Sequence, residues 1–388
     1  MHQRVSILMF SMSPYTEWVI DKKANRNFHI LRALCNDARV DKVISVDFLP
    51  HTFRRAVRQR LELRRLRGIG TPMYGGLTNS CRRIDEKLYV YSTIDAVLST
   101  GRFHSGIRKL LECVAIRTPL VIWSYTPLFT EYYESTKADV LVFDAVDNWA
   151  EHPSYGSFRN RILSNYQKIS SLADVVFTVT QHLAETLFKA SRHAEWIPNG
   201  VDVDQYSQKL LEPDDLYSIP HPRIGYVGVI QRRVDFTLVR QLADAFPRAH
   251  FVFVGPVWPD ADIKFVKGLS HVHFLGPKPY DSLPAYLQHM DVGIIPHASG
   301  EFVKSMNPMK LYEYLAAGIP VVTTPVSGTE LFPGLLHTAD NPADFERAIT
   351  LAMNEKSESQ ATHRRDAVAP HSWTSRADTM LRRIVQQI

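Results

Sequence analysis

Short apolar runs and segments of helical period alternate along almost the whole chain. Runs over 5–10, 43–48, 87–91, 96–99, 120–123, 140–143, 175–179 and 195–197 predict β-strands. Segments over 26–36, 105–116, 158–172 and 182–190 space their apolar residues as helices do. Runs such as Val140-Leu141-Val142-Phe143 do not alternate with polar residues, which marks strands buried on both faces of a parallel sheet. After Pro198-Asn199-Gly200 the pattern breaks: residues 201–221 are acidic, contain proline, show no period and read as a linker. It restarts with strands over 223–230, 250–254, 272–275, 292–296 and 320–323, and helices over 236–246, 282–289 and 308–317. Strand–helix–strand alternation of this length predicts an α/β chain of two doubly wound parallel-sheet domains, over 1–200 and 222–372, closed by a helical segment over 373–388. Ligands of such sheets bind outside the carboxyl ends of the strands, so two in series are expected to face a cleft that holds the ligand.

Composition narrows the class. At 388 residues the chain exceeds one ordinary core, and 45% hydrophobic with 22% charged residues is globular usage. No apolar run approaches the roughly 18 to 20 residues that span a bilayer. The apolar start over 5–10 lacks a small-residue cleavage site and reads as a first strand, not a signal peptide. Cys35, Cys81 and Cys113 stand far apart without a CxxC pair, which argues against a cysteine zinc site and a disulfide framework; a cytoplasmic location is expected.

The formal charge of +5 concentrates in one place. Arg54, Arg55, Arg58, Arg60, Arg64, Arg65 and Arg67 fall within 53–67 beside one acid, Glu62, while Phe53, Val57 and Leu61 recur every fourth residue. An apolar helical stripe flanked by arginines suits peripheral contact with an anionic membrane, on the inner face for a cytoplasmic protein; a solvated surface helix fits equally. The cluster lacks interleaved aromatics and no nucleic-acid motif is present, so a nucleic-acid partner is not expected.

The most informative stretch is Ser305-Met306-Asn307-Pro308-Met309-Lys310-Leu311-Tyr312-Glu313, continuing through Gly318 to Pro320-Val321-Val322. Asn307 suits a helix N-cap, Pro308 the first helical position and Gly318 the C-terminal stop. The backbone N–H groups of Met306 to Met309 would face a diphosphate at the helix start, with Lys310 adding positive charge. Glu313, three residues on and on the same face, can accept two hydrogen bonds from ribose hydroxyls. The plain alternative is a capped helix carrying a surface ion pair.

Here the sequence resembles the GT-B glycosyltransferases, especially the family 4-like group of bacterial polysaccharide and glycoconjugate biosynthesis. The group's P-x-K-x-x-E-Y-x-A-x-G-x-P-V-V signature runs residue for residue over 308–322. Asn199-Gly200-Val201-Asp202 resembles its hinge segment, and Gly225-Tyr226-Val227-Gly228 its first C-domain strand and glycine loop. Phe253-Val254-Gly255-Pro256 and His273-Phe274-Leu275-Gly276 resemble its next two strands. Trp373 and the terminal helix resemble the segment that crosses back to the N-terminal domain. The resemblance implies the GT-B fold of two Rossmann-like domains and a nucleotide-sugar site built from Gly228, Arg232, Arg233, Gly276, Ser305, Met306, Asn307, Lys310 and Glu313. Either Arg232 or Arg233 would steady the departing diphosphate. UDP is favoured over GDP, and a saccharide or lipid-linked saccharide is the implied acceptor. One departure stands out: Ser305 occupies the place where many members carry a second glutamate, eight residues before Glu313. The Ser-Met-Asn-Pro-Met-Lys wording also resembles glucuronosyltransferase-like members, which use an N-domain aspartate as base.

In the first domain Phe143-Asp144-Ala145-Val146-Asp147 follows a buried strand, where a carboxylate can take the proton of an acceptor hydroxyl. Asp144 and Asp147 are the candidate bases, Asp144 preferred as nearer the strand end, with His152 a weaker alternative; capping of the turn is the structural alternative. Tyr15, Trp18, Arg26 and His29 follow the first strand, where GT-B enzymes receive acceptors; Tyr15, Trp18 and Arg26 are the acceptor-binding candidates. The triplets Asp202-Val203-Asp204 and Asp260-Ala261-Asp262 fall in hinge and loop, so they read as turn residues, and neither a metal nor another cofactor is expected. Two further readings stay open: a nucleotide-sugar 2-epimerase of the same architecture, and a non-enzymatic two-lobed sugar-binding protein.

Overall fold

The computed structural model describes residues 4–355 and 357–388. The chain divides into two units, Met1–Ile197 with Arg376–Ile388, and Pro198–Ser375.

The first unit is built on nine strands: β1 (Val5–Phe10), β2 (Val40–Val46), β3 (Thr71–Gly75), β4 (Asn79–Arg83), β5 (Leu88–Thr93), β6 (Leu120–Ser124), β7 (Val140–Ala145), β8 (Val175–Thr178) and β9 (Ala194–Trp196). They lie in the order β3-β4-β5-β2-β1-β6-β7-β8-β9. From β5 to β9 every pairing is parallel, while β4 is antiparallel to both β3 and β5. The central strands β1, β5 and β6 are buried at every position, which is why their sequences run apolar without alternation. Each buried Leu, Ile, Val or Phe contributes about 1.5–3 kcal/mol.

The second unit carries β10 (Arg223–Val227), β11 (His250–Val254), β12 (Val272–Phe274), β13 (Val292–Ile295), β14 (Val321–Thr323) and β15 (His337–Thr338). Their order, β12-β11-β10-β13-β14-β15, is parallel throughout. The chain leaves β10 to one side and returns to its other side with β13, and that reversal marks where such sheets bind nucleotides.

Four local features differ from the sequence expectation. Residues 96–99 are not a strand: Asp95–Leu98 forms a helical turn, with Asp95 Oδ2 accepting from Asn79 Nδ2 at 2.7 Å. Such a short apolar run fits either state, and this side-chain bond selects the turn. The β3–β4 edge hairpin carries polar residues and Pro72, so it gives no apolar signal. The acidic 201–221 stretch contains two short helices, Val203–Ser207 and Asp214–Tyr217. Asp202 caps the first by accepting from the Gln205 N–H at 3.3 Å. The helix over 308–317 starts at Met309, with Pro308 rather than Asn307 at the cap position.

Among the described residues, no helix is long and apolar enough to cross a membrane.

Candidate active site

In the second unit the chain turns at Gly228 directly after β10, with φ at +135°. The Gly228 N–H donates to Val254 O at 2.8 Å. A Cβ on Gly228 would lie 3.2 Å from Lys310 Cε and 3.3 Å from Nζ, and one on Gly255 would overlap the Gly228 carbonyl at 2.0 Å. Absent side chains therefore let two turns and a lysine crowd together at the carboxyl ends of β10 and β11. Gly276 joins from the third turn, its carbonyl accepting from the Gly255 N–H at 2.9 Å.

The helix Met309–Ala317 brings Lys310 and Glu313 to this place, both buried. Lys310 Nζ lies 4.7 Å from the centre of the Tyr226 ring, a cation–π contact inside β10. Burial holds the lysine below its usual pKa, opposed by Tyr226. Burial pushes the Glu313 carboxyl up to about 7, against the pull of Lys310 and of the Tyr206 and Tyr280 hydroxyls. Lys310 and Glu313 are thus not a solvated surface pair: a cation and a carboxyl with raised proton affinity are held one helical turn apart.

Arg233 completes the group. Its Nη1 reaches Met306 Sδ at 4.0 Å, and its charge, with that of Lys310, bears on His297 and Tyr226. Arg232, next in sequence, is exposed. His297 is buried with neither ring nitrogen hydrogen-bonded among the described residues, and burial with the two cations holds it well below its ordinary pKa.

Ser305 and Asn307 do other work. The Ser305 hydroxyl is buried and donates to Phe302 O at 2.6 Å. The Met306 N–H donates to Val303 O at 3.0 Å and so is spent within the chain. Asn307 Oδ1 accepts from the Asn199 N–H at 2.7 Å, its Nδ2 donates to Ser327 O at 2.8 Å, and its carbonyl accepts from Asn199 Nδ2 at 2.6 Å. The side chain that suited an N-cap instead ties the helix start to the Pro198-Asn199-Gly200 segment. Tyr206, Tyr226, Tyr280 and His297 were not singled out by sequence; Tyr226 lies inside the glycine motif, and the others carry no local signal.

In the first unit, two residues expected in different roles are partners. Arg26 Nε donates to both Asp144 oxygens, at 3.1 and 3.0 Å, and the pair is buried. Burial raises the Asp144 pKa, and Arg26, Tyr125 and Trp123 oppose the rise. A carboxylate so enclosed is not open to an acceptor. Tyr15 and Trp18 are also buried, ring to ring at 6.1 Å, and the Tyr15 N–H donates to Asp47 at 2.8 Å. Neither presents a face to a sugar.

Asp147 is half-buried beyond the end of β7. The Tyr166 hydroxyl fixes its loop by donating to the Asp147 carbonyl at 3.2 Å and accepting from the Trp149 N–H at 3.1 Å. His152 accepts at Nδ1 from the Ser154 N–H at 3.1 Å and packs on Trp149, an anchoring role. Among the described residues, no three His, Cys, Asp or Glu side chains gather as a metal-ion site.

Residues 221–355 match the family model of glycosyl transferases group 1. Together with the two parallel-sheet units, this places the chain among the GT-B glycosyltransferases. Among curated proteins it is similar to TuaH of Bacillus subtilis (strain 168), a glycosyltransferase assigned to teichuronic acid biosynthesis, with 27% identity over 311 residues, 75% of this chain and 78% of that one. Among solved structures it resembles sucrose-phosphate synthase from Thermosynechococcus elongatus, with a TM-score of 0.67, 14% identity and 98% of each chain covered. It also resembles Anabaena HepE in complex with UDP and glucose, with a TM-score of 0.64, 16% identity and 100% of each chain covered.

Proposed function

We propose that the chain transfers a sugar from a UDP-sugar to a saccharide or lipid-linked saccharide acceptor in polysaccharide assembly, and that it does so without a metal. The observation that carries the donor assignment is Lys310 and Glu313, buried on successive turns of one helix start beside Gly228. In this reading Lys310 and Arg233 neutralise the diphosphate and Glu313 accepts from the ribose hydroxyls. Main-chain groups after Gly276 meet the base. The UDP held by the HepE structure and the role assigned to TuaH support the donor and the product class. Asp147 takes the acceptor proton.

Membrane contact belongs to the same proposal. On the helix Phe53–Glu62, Phe53, Val57 and Leu61 are 67%, 47% and 55% exposed, so the apolar stripe turns away from the core. With seven arginines between residues 53 and 67 and one glutamate, that face matches an anionic bilayer in both hydrophobicity and charge. Co-sedimentation with phosphatidylglycerol vesicles should fall when Arg54, Arg55 and Arg58 become glutamine; unchanged binding would remove the membrane from the account.

The function itself is tested by nucleotide release from a panel of UDP- and GDP-sugars, with and without added saccharide acceptors. Acceptor-dependent UDP release is expected. A free epimerised sugar made without any acceptor would favour epimerase chemistry instead.

A further inference from the structure

His297 is 2% exposed, and neither ring nitrogen has a hydrogen-bond partner among the described residues. An unpaired buried polar group costs stability, and in a folded chain it marks a functional group or the place of a bound ion or water. The residue follows β13 directly after Pro296, and its main chain is pinned from two sides. Its N–H donates to Thr324 Oγ1 at 3.1 Å, and its carbonyl accepts from the same hydroxyl at 2.9 Å. On the other side it bridges Val234, and the next residue's N–H, that of Ala298, donates to Arg233 O at 2.8 Å. The backbone fixes where the imidazole sits, and the fold uses neither of its nitrogens.

The charges around the ring are positive. Its centre lies 6.5 Å from that of the Tyr226 ring, and Lys310 Nζ lies 4.7 Å from the same Tyr226 ring. Burial, then Lys310 and Arg233, keep the imidazole neutral at neutral pH. A neutral imidazole carries one N–H, so it can bond an anion without adding a third positive charge to the two already there. Its place in the sheet says which part of the anion it meets. Gly276, Gly255 and Gly228 follow β12, β11 and β10, and the sheet order then continues to β13. With the base at Gly276 and the diphosphate at Gly228, the same line along the strand ends leads next to His297. The phosphate nearer to that end is the one that carries the sugar.

We propose that His297 is a catalytic residue of the donor site, its ring N–H bonded to an oxygen of the sugar-bearing phosphate. The proposal rests on the reading of Lys310 and Glu313 as the nucleotide site. In the transfer, the bond from the anomeric carbon to that phosphate's oxygen breaks, and the electron pair stays with UDP. The acceptor hydroxyl oxygen bonds to the carbon, and its proton passes to Asp147. Negative charge grows on the sugar-bearing phosphate as the bond breaks, so a donor already fixed there gains strength in the transition state. His297 keeps its proton throughout. Lys310 and Arg233 supply charge, and His297 supplies a directed bond at the atom where charge develops.

Calorimetric titration of the full chain with UDP and with UMP tests this, on wild type and on H297F, H297L, H297N and H297Q, with thermal unfolding alongside. UDP is the leaving group itself, and UMP lacks the phosphate in question. H297F and H297L should bind UDP about tenfold more weakly and UMP as wild type does. They should unfold no earlier than wild type, because carbon replaces two unpaired nitrogens. One amide should restore most of the UDP affinity: H297Q if Nε2 carries the N–H, H297N if Nδ1 does. The proposal is overturned if H297F and H297L bind UDP like wild type, if UMP binding falls as far as UDP binding, or if both amides bind UDP as weakly as H297F. Glu313→Gln keeps the two readings apart: if it weakens UDP while H297F and H297L do not, the donor site stands and His297 has no part in it. If wild type binds no UDP, the donor reading fails and this proposal falls with it.

Discussion

Arg26 and Asp144 form a buried ion pair, with one guanidinium nitrogen within 3.1 Å of both carboxylate oxygens. Removing one partner of such a pair strands the other charge in the core, at a cost of about 3–5 kcal/mol. Asp144→Ala should therefore lower the unfolding temperature strongly. Asp147→Asn should leave it nearly unchanged and reduce sugar transfer by about 10²–10⁴, the usual contribution of a general base. Paired thermal unfolding and transfer assays check this. A stable Asp144→Ala variant without transfer activity would return the base role to Asp144.

The two glycine turns should separate by severity. Gly255→Ala drives a Cβ into the Gly228 carbonyl at 2.0 Å with φ at +145°, and should yield little folded protein. Gly228→Ala meets only the end of a lysine side chain, at 3.2 Å, besides the strain of φ at +135°. It should fold with a loss of about 1–3 kcal/mol and bind UDP more weakly, because Lys310 must move. Chemical denaturation and calorimetry measure the two effects.

Glu313 gives the site a pH signature. Its folded pKa of about 7 lies above the ordinary carboxylate value, so the folded chain holds this proton more tightly than the unfolded chain does. The group's contribution to stability is then largest at low pH and falls as pH rises from about 4 through 7. UDP affinity should move the opposite way, strengthening by about fivefold as the carboxylate ionises, since charge-assisted bonds to the ribose are worth about 1 kcal/mol more than neutral ones. Glu313→Gln should flatten both profiles; an unchanged pH profile of UDP binding in that variant would assign the titration to another group.

Sugar transfer is expected to proceed undiminished in excess EDTA, because Lys310 and Arg233 supply the charge that a divalent ion gives elsewhere. Loss of transfer in EDTA with recovery in Mg²⁺ or Mn²⁺ would contradict that.

The strands announced themselves in the sequence because burial on both sheet faces demands unbroken apolar runs, as in Val140-Leu141-Val142-Phe143. The helix carrying Lys310 and Glu313 did so because helix ends have a local grammar, with Pro308 at the start and Gly318 at the stop. What stayed hidden depended on partners distant in sequence. Asp144 reads as a base next to its own strand, but Arg26, 118 residues earlier, occupies both of its oxygens. Asn307 reads as a cap until Asn199, 108 residues away, takes its side-chain oxygen. Tyr15 and Trp18 offer aromatic faces on paper, and packing closes them. The polar β3–β4 hairpin has no periodic signature, since it arises from topology.

The central claim is that the helix start at Lys310 and Glu313 binds the nucleotide of the donor. The most direct measurement is the thermal unfolding of wild type and of Glu313→Ala with and without UDP. At UDP about 100 times above its dissociation constant, the wild type should gain about 2.7 kcal/mol, a shift of a few degrees for a chain of this size. The account predicts that shift in wild type and its loss in Glu313→Ala, each read against the same protein without UDP, because removing the buried carboxyl beside Lys310 itself lowers the unfolding temperature. An equal shift in both proteins, or none in wild type, would contradict it.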